Sequence, residues 1–434
     1  MQEDSRGGRF ALGVVGVALL AAAFAVAFRA ALSFAMRELA GASDVVSAMS
    51  AAPLWARLLV PAAGALLAGV IGRAVARAPS GQGVGDVMEA VVLGRVHLSM
   101  RVTLLKSLAS WLAIASGGSI GREGPLIQFG GAAGKWVSDR LGLSLDSARL
   151  LIGAGTAAGF AAAYNTPFAA VLFVLEVVLG VVVLDAVLPV LVATVLAASV
   201  TRAVIGEGPI YGQRAFHLQS PLEFAAFAGL GIAAALGAQA FMRLVSAGER
   251  FFHQPWLALP WRTALGGLLA GAVIVFLPEV AGNGYEPLNA LIDGKFTLGF
   301  VALLLVGKCL ATTASVSSGS PGGVFTPTLL LGGGIGFLWA GLLAAVGADT
   351  GPAGGYALVG MAAAIAATTH APLMAAVMAF ELSGDYAIAL PLVLATAIAT
   401  LVSRALRRDS IYTAELTQRG VGWELTMEGR RVVR

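Results

Sequence analysis

The chain has 434 residues, of which 58% are hydrophobic types and 12% are charged, against roughly 25% charged in ordinary soluble domains; with a mean hydropathy of +0.85 this excludes a soluble globular or a disordered protein. The formal charge of +4 rests mostly on arginines in short connections and at the two ends of the chain, a distribution that argues against a nucleic-acid partner. One cysteine, Cys309, excludes a disulfide scaffold and a cysteine-held metal, and the four histidines (His97, His217, His253, His370) lack ligand spacing, so neither a metal, a cofactor nor enzyme chemistry is expected.

In chain order, residues 1–9 form a polar start, expected on the cytoplasmic side, before an apolar run over 10–28. That run is too long for a signal-peptide core and continues without a cleavage site, so it reads as a first membrane helix. Runs of about 20 apolar residues, the length that crosses a bilayer, lie near 10–38, 54–77, 221–245, 262–281, 296–314 and 385–403. Shorter apolar pieces broken by glycine and proline lie at about 82–94, 102–116, 124–138, 148–163, 167–184, 186–204, 325–347, 355–368 and 371–382. Interrupted helices at membrane depth are tolerated only where protein covers them or they line a cavity. The expected class is therefore an all-α polytopic membrane protein of the transporter or channel type. Arg404, Arg407 and Arg408 follow the last apolar run and predict a cytoplasmic C-terminus in the cell membrane. The expected division is a membrane domain over 10–408, with a first repeat over about 10–204, a second over about 221–383 and a last helix at about 385–406. A tail over 409–434 is too short for a domain of its own.

The repeat is read by sliding the chain on itself. At an offset of 202, Ser116, Gly117, Gly121, Pro125, Gly130 and Gly131 fall on Ser318, Gly319, Gly323, Pro327, Gly332 and Gly333; at 205, Ala158, Ala161, Ala162, Pro167, Ala170 and Glu176 fall on Ala363, Ala366, Ala367, Pro372, Ala375 and Glu381. Equal offsets leave open whether the halves run parallel or inverted.

The repeated segments also carry the chemistry. Ser116-Gly-Gly-Ser-Ile-Gly-Arg-Glu-Gly-Pro125 and Ser317-Ser-Gly-Ser-Pro-Gly-Gly-Val-Phe-Thr-Pro327 are glycine-rich lead-ins to apolar helices, and Ser80-Gly-Gln-Gly-Val-Gly-Asp86 is a third. Such a junction aims backbone N–H groups and the positive end of a helix dipole at one point, which suits an anion; close helix packing is the other use of such glycines. Glu123 stands inside the first motif beside Arg122. An ionisable group at this depth marks function, here a side chain that fills an anion position when charged and leaves it when protonated, or else a structural pair with Arg122.

These residues resemble the CLC family of chloride channels and proton-coupled chloride exchangers, over about residues 10–420. Gly121-Arg-Glu-Gly-Pro125 is similar to its GREGP motif, Gly323-Val-Phe-Thr-Pro327 to its GxFxP motif and Gly81-Gln-Gly-Val-Gly85 to its GSGIP motif, while Tyr412 sits where the family has a pore tyrosine. The resemblance implies a fold of many tilted and broken helices in two inverted repeats, and a homodimer with one pore per subunit and both termini cytoplasmic. It makes Glu123 the gate. Anion contacts are implied at Gln82, Gly83, Val84, Gly121, Arg122, Gly124, Gly323, Val324, Phe325 and Tyr412, and Lys106 falls at the place of a buried structural lysine. No cofactor is implied, chloride being the transported ion, and no regulatory CBS domain is expected.

Three residues depart from the family pattern. Gln82 replaces a serine that helps to choose the anion, though its amide still donates a hydrogen bond; Gly85 replaces a proline; and Val177 stands where proton-coupled members carry an internal glutamate. Valine cannot carry a proton, so passive, channel-type conduction is expected, with proton-coupled antiport as the alternative. Glu176 and Glu381, repeat mates at the ends of apolar helices, read as structural caps or as proton relays. Two other classes are weaker readings. An intramembrane serine protease has only Ser116, Ser119 and His370 to draw on, and a cation transporter built on Glu123, Glu176 and Glu381 conflicts with the sign of the glycine-rich junctions.

Overall fold

The structure, a computed structural model, describes residues 2–75, 83–93, 98–181, 183–206, 211–212, 216, 218–348, 350–418, 420, 422–426 and 429–433. The first half comprises α1 (Gln2–Ala40), α2 (Val45–Ala51), α3 (Leu54–Val75), α4 (Val84–Leu93), α5 (Met100–Ala115), α6 (Glu123–Leu141), α7 (Leu145–Tyr164), α8 (Pro167–Leu172) and α9 (Leu184–Ile205); α8 runs on as a wider π-helical turn, Phe173–Leu179. The second half comprises α10 (Glu223–Phe252), α11 (Trp261–Phe276), α12 (Tyr285–Ile292), α13 (Leu298–Ser317), α14 (Phe325–Ala345), α15 (Ala353–Thr369), α16 (Pro372–Ser383), α17 (Ala389–Leu406) and α18 (Ile411–Gln418). Among the described residues seven helical segments are long and apolar enough to cross a bilayer, and shorter apolar helices such as α11, α15 and α16 are not. The strands β1 (Gly422–Thr426) and β2 (Gly429–Val433) form an antiparallel hairpin after the membrane part, with β2 packed on α4.

Composition sets the layering. α7 is buried from Leu151 to Tyr164 and α15 from Gly354 to Thr369. Both are alanine- and glycine-rich with no polar face, so they belong at the centre. Where α6 crosses α7, a side chain on Gly130 would run into the Gly155 carbonyl and one on Gly155 into the Gly130 carbonyl; Gly332 of α14 and Gly360 of α15 stand in the same mutual relation. Only glycine lets these backbones touch.

The halves exchange contacts reciprocally. Gly121 N–H donates to Gly323 O at 2.7 Å and Gly323 N–H to Gly121 O at 2.9 Å, an antiparallel bridge between repeat mates. The Glu176 carboxylate accepts from the amides of Leu373 (3.3 Å) and Met374 (2.7 Å) at the start of α16. Glu381 accepts from Phe168 (3.1 Å) and Ala169 (2.8 Å) at the start of α8. Contacts of i with j and of j with i are the mark of a two-fold axis, here a pseudo-two-fold through the Gly121–Gly323 bridge. α17 packs on α10 and α15 as α9 packs on α1 and α7. The helix at 385–406 thus stands to the second half as α9 stands to the first.

Candidate functional site

The two repeated junctions meet on this axis. Gly117 (φ 100°) and Gly319 (φ 90°), repeat mates, turn the chain out of α5 and α13 through a backbone region that side chains rarely adopt. The serines around them tie the turns down. Ser116 donates to Ala113 O (3.0 Å), Ser119 meets the Thr312 hydroxyl (2.9 Å), Ser317 donates to Val245 O (2.9 Å) and Ser318 to Ser315 O (2.8 Å). After the bridge each chain enters a helix, α6 or α14, whose N-cap residue, Arg122 or Val324, makes no side-chain capping bond. The third residue of each helix is a proline, Pro125 or Pro327. The first-turn amides of both helices are therefore left for an outside acceptor, at the positive ends of two dipoles.

These ends open on a cavity of about 970 Å³. It is lined by Gly83 and Val84 at the start of α4, Glu123 and Gly124 of α6, Gly323, Val324 and Phe325 at the start of α14, and Tyr412 of α18. Lys106, Arg250, Arg262 and Arg407 line it as well, against the carboxylates Glu123 and Glu249. An excess of cations in a walled cleft concentrates anions. Glu123 is buried, with its carboxylate accepting from the Thr326 hydroxyl and pressed against Gly121 and Gly323. Tyr412 is set by an edge-on contact with Phe173 at 5.9 Å, Phe173 stacks on Phe160 at 4.8 Å, and Phe160 meets Phe325 edge-on at 5.7 Å.

Residues 64–404 match the family model described as "Voltage gated chloride channel". The chain is 39% identical over 415 residues to a ClcB-like protein of Ralstonia nicotianae, covering 94% of this chain and 96% of the relative. It is 37% identical over 415 residues to the voltage-gated ClC-type chloride channel ClcB of Escherichia coli, covering 93% and 97%. The chain belongs to the CLC family. Solved CLC structures share its fold. A slow cyanobacterial Cl−/H+ antiporter matches with a TM-score of 0.84 at 24% identity over 95% of this chain and 98% of that one. A CLC-type fluoride/proton antiporter matches with 0.76 at 23% over 93% and 96%. With the CLC fold comes the inversion of the two repeats that equal offsets leave open.

The CLC motif residues do not all serve alike. Gln82 lies outside the described residues. Gly121 and Gly323 spend their amides on each other, which sets the register of the two helix starts. Arg122 is not among the cavity-lining residues, and its charge acts on Glu123, Arg29, Tyr211 and Glu286. Lys106, expected to be buried, is half-exposed to the cavity; its repeat mate Lys308 is the buried lysine, donating to Val280 O (2.9 Å) and Gly282 O (2.8 Å). Val177 is buried in the π-helical turn and does not line the cavity. His370 faces Ser403 (3.2 Å) while Ser116 and Ser119 make the bonds given above, so no serine–histidine pair forms from these residues. Sequence reading missed Tyr164, Thr326, Lys308 and the cavity arginines. Thr326 lies inside the second motif, between Phe325 and Pro327, and was the one with a signal.

Proposed function

We propose that this protein conducts chloride passively across the cell membrane through a pore gated by Glu123. The observation that carries the reading is the position of the Glu123 carboxylate. It fills the point where the uncapped starts of α6 and α14 converge at a cation-lined cavity. An anion entering from that cavity exchanges hydration for the amides of Gly124, Val324 and Phe325, the segment at Gly83 and Val84 and the Tyr412 hydroxyl, and competes with the carboxylate for the same partial charges. Protonation removes the competitor, so acid opens the path.

The passive mode is supported by Val177, a packed valine, and by Glu176, whose two oxygens are committed to α16. The alternative, proton-coupled antiport, is the activity named for the two structural neighbours. The site lies within one chain, so the homodimer proposed from the family resemblance would hold two pores, and Arg404, Arg407 and Arg408 favour cytoplasmic termini. The test is chloride efflux from liposomes holding the purified protein, with external pH recorded in the same trace. Efflux that requires a potassium ionophore and moves no protons uphill is expected; uphill proton movement in fixed ratio to chloride sinks the passive mode and leaves the antiporter. Glu123→Gln should give flux that no longer rises as pH falls, and a normal acid response in that variant refutes the gate. Flux that followed cation rather than anion identity would overturn the anion reading altogether.

A further inference from the structure

The Glu123 carboxylate is held by a chain of two hydroxyls from outside its own helix. Its Oε1 accepts from the hydroxyl of Thr326, the second residue of α14. The Thr326 oxygen lies 2.9 Å from the phenol oxygen of Tyr164, the last residue of α7; since the Thr326 proton goes to the carboxylate, the phenol donates to Thr326 and stands behind it. Glu123, Thr326 and Tyr164 are 2%, 2% and 6% exposed. The other oxygen, Oε2, is pressed against Gly121 and Gly323 and has no hydrogen-bond partner.

Neither hydroxyl can follow the carboxylate outward. The Tyr164 ring is clamped between Phe160 (5.1 Å) and Phe325 (5.5 Å), and Thr326 is anchored one residue from Phe325 by the helix itself. Three helices, α6, α7 and α14, thus meet in one short chain of hydrogen bonds at the proposed gate. We propose that Tyr164 and Thr326 form a latch, a pair of positioning residues that hold the Glu123 side chain at the convergence of α6 and α14, so that opening must break the bond from Thr326. This rests on the reading of Glu123 as the gate and adds what sets its resting position.

Donors aimed at a carboxylate favour its charged form, and chained hydroxyls strengthen one another. The latch therefore delays opening as pH falls. The charged and titratable groups around Glu123 include Arg122 at the start of its own helix and Lys308 of α13. Tyr211 acts on Tyr164, Glu286 of α12 lies within the field of Arg122 and Lys308, and Lys106 and Tyr412 line the same cavity as Glu123. These act through space and are untouched by the substitutions below, which remove only links of the hydroxyl chain.

The test is the pH profile of chloride flux in liposomes for Tyr164→Phe, which keeps the ring, and Thr326→Val, which keeps the shape, with Thr326→Ser restoring the hydroxyl and Glu123→Gln as the reference background. Flux in Tyr164→Phe and Thr326→Val should still rise with acid, with its half-maximal pH moved up by about one unit in Thr326→Val, the scale of one lost charge-assisted hydrogen bond, and by a smaller step in Tyr164→Phe, which loses only the bond behind it. Thr326→Ser should match the wild type. In the Glu123→Gln background neither Tyr164→Phe nor Thr326→Val should change the flux. Wild-type midpoints in both variants, purified as monodisperse protein, overturn the latch while a flat Glu123→Gln profile keeps the gate. A normal acid response in Glu123→Gln overturns gate and latch together.

Discussion

At the scale of single residues, most of the polar groups around the site are committed to holding backbone, and two of them can be told apart by experiment. Lys308 is 1% exposed and gives its ammonium protons to the carbonyls of Val280 and Gly282, which pins the connection between α11 and α12 onto α13. Replacing it with methionine preserves bulk but leaves two buried carbonyls without a donor, at a cost of about 2–4 kcal/mol. The melting temperature in detergent should fall by several degrees, and an unchanged value would remove the pinning role. Tyr412 is the contrasting case. Tyr412→Phe keeps the edge contact with Phe173 and removes only the hydroxyl of this cavity-lining residue. Calorimetric titration should find chloride bound about 3- to 10-fold more weakly, the equivalent of one hydrogen bond of about 1 kcal/mol. Equal affinity would take Tyr412 out of the anion site.

At the scale of elements, the reciprocal caps explain why matching glutamates occur in both halves. Each sits near the end of its own helical segment and caps the start of the other half's short helix, where two orphan amides and the dipole favour a negative charge. The corners next to them are matched too. Asn165 (φ 58°) and His370 (φ 60°) end α7 and α15 in the left-handed region, and Arg202 and Arg404 reach their side-chain oxygen and carbonyl at 2.6 and 3.0 Å. Glu176→Gln and Glu381→Gln should therefore each lower stability by about 1–2 kcal/mol, by similar amounts, with no change in proton movement during chloride efflux. Loss of a coupled proton flux in Glu176→Gln alone would restore the relay reading. Much of this was legible beforehand, because the 202 and 205 offsets already paired Gly130 with Gly332 and Glu176 with Glu381. What stayed hidden has physical reasons. α2 and α12 have seven and eight residues, too short to produce an apolar run. The exchange of caps between halves is a long-range contact that no local pattern encodes. Tyr164 ends an alanine-rich run that reads as core, and only the approach of α14 turns its hydroxyl into a partner for Thr326.

At the scale of the whole molecule, charge placement supplies what the local motifs lack, a reason for anions to collect at the site. Lys106, Arg250, Arg262 and Arg407 come from α5, α10, α11 and the end of α17, far apart in the chain, yet they line one cavity. Arg262 is also structural, donating to Ser318 O at 2.9 Å, whereas Arg250 and Arg407 can be changed at the surface of the cleft. Their attraction for an approaching anion reaches about 30 Å at 0.01 M ionic strength and about 8 Å at 0.15 M. The double change Arg250→Gln with Arg407→Gln should reduce chloride flux about 2- to 5-fold at low ionic strength, and the deficit should close when an impermeant salt raises the ionic strength to about 0.15 M. Arg243→Gln, on the exposed face of α10 and outside the cavity lining, should leave the low-salt flux unchanged. A deficit that persisted at high salt would mean that the two arginines act on the pore's shape or on a bound anion rather than through their field, and equal losses in Arg243→Gln would reduce the effect to net charge without regard to the cavity.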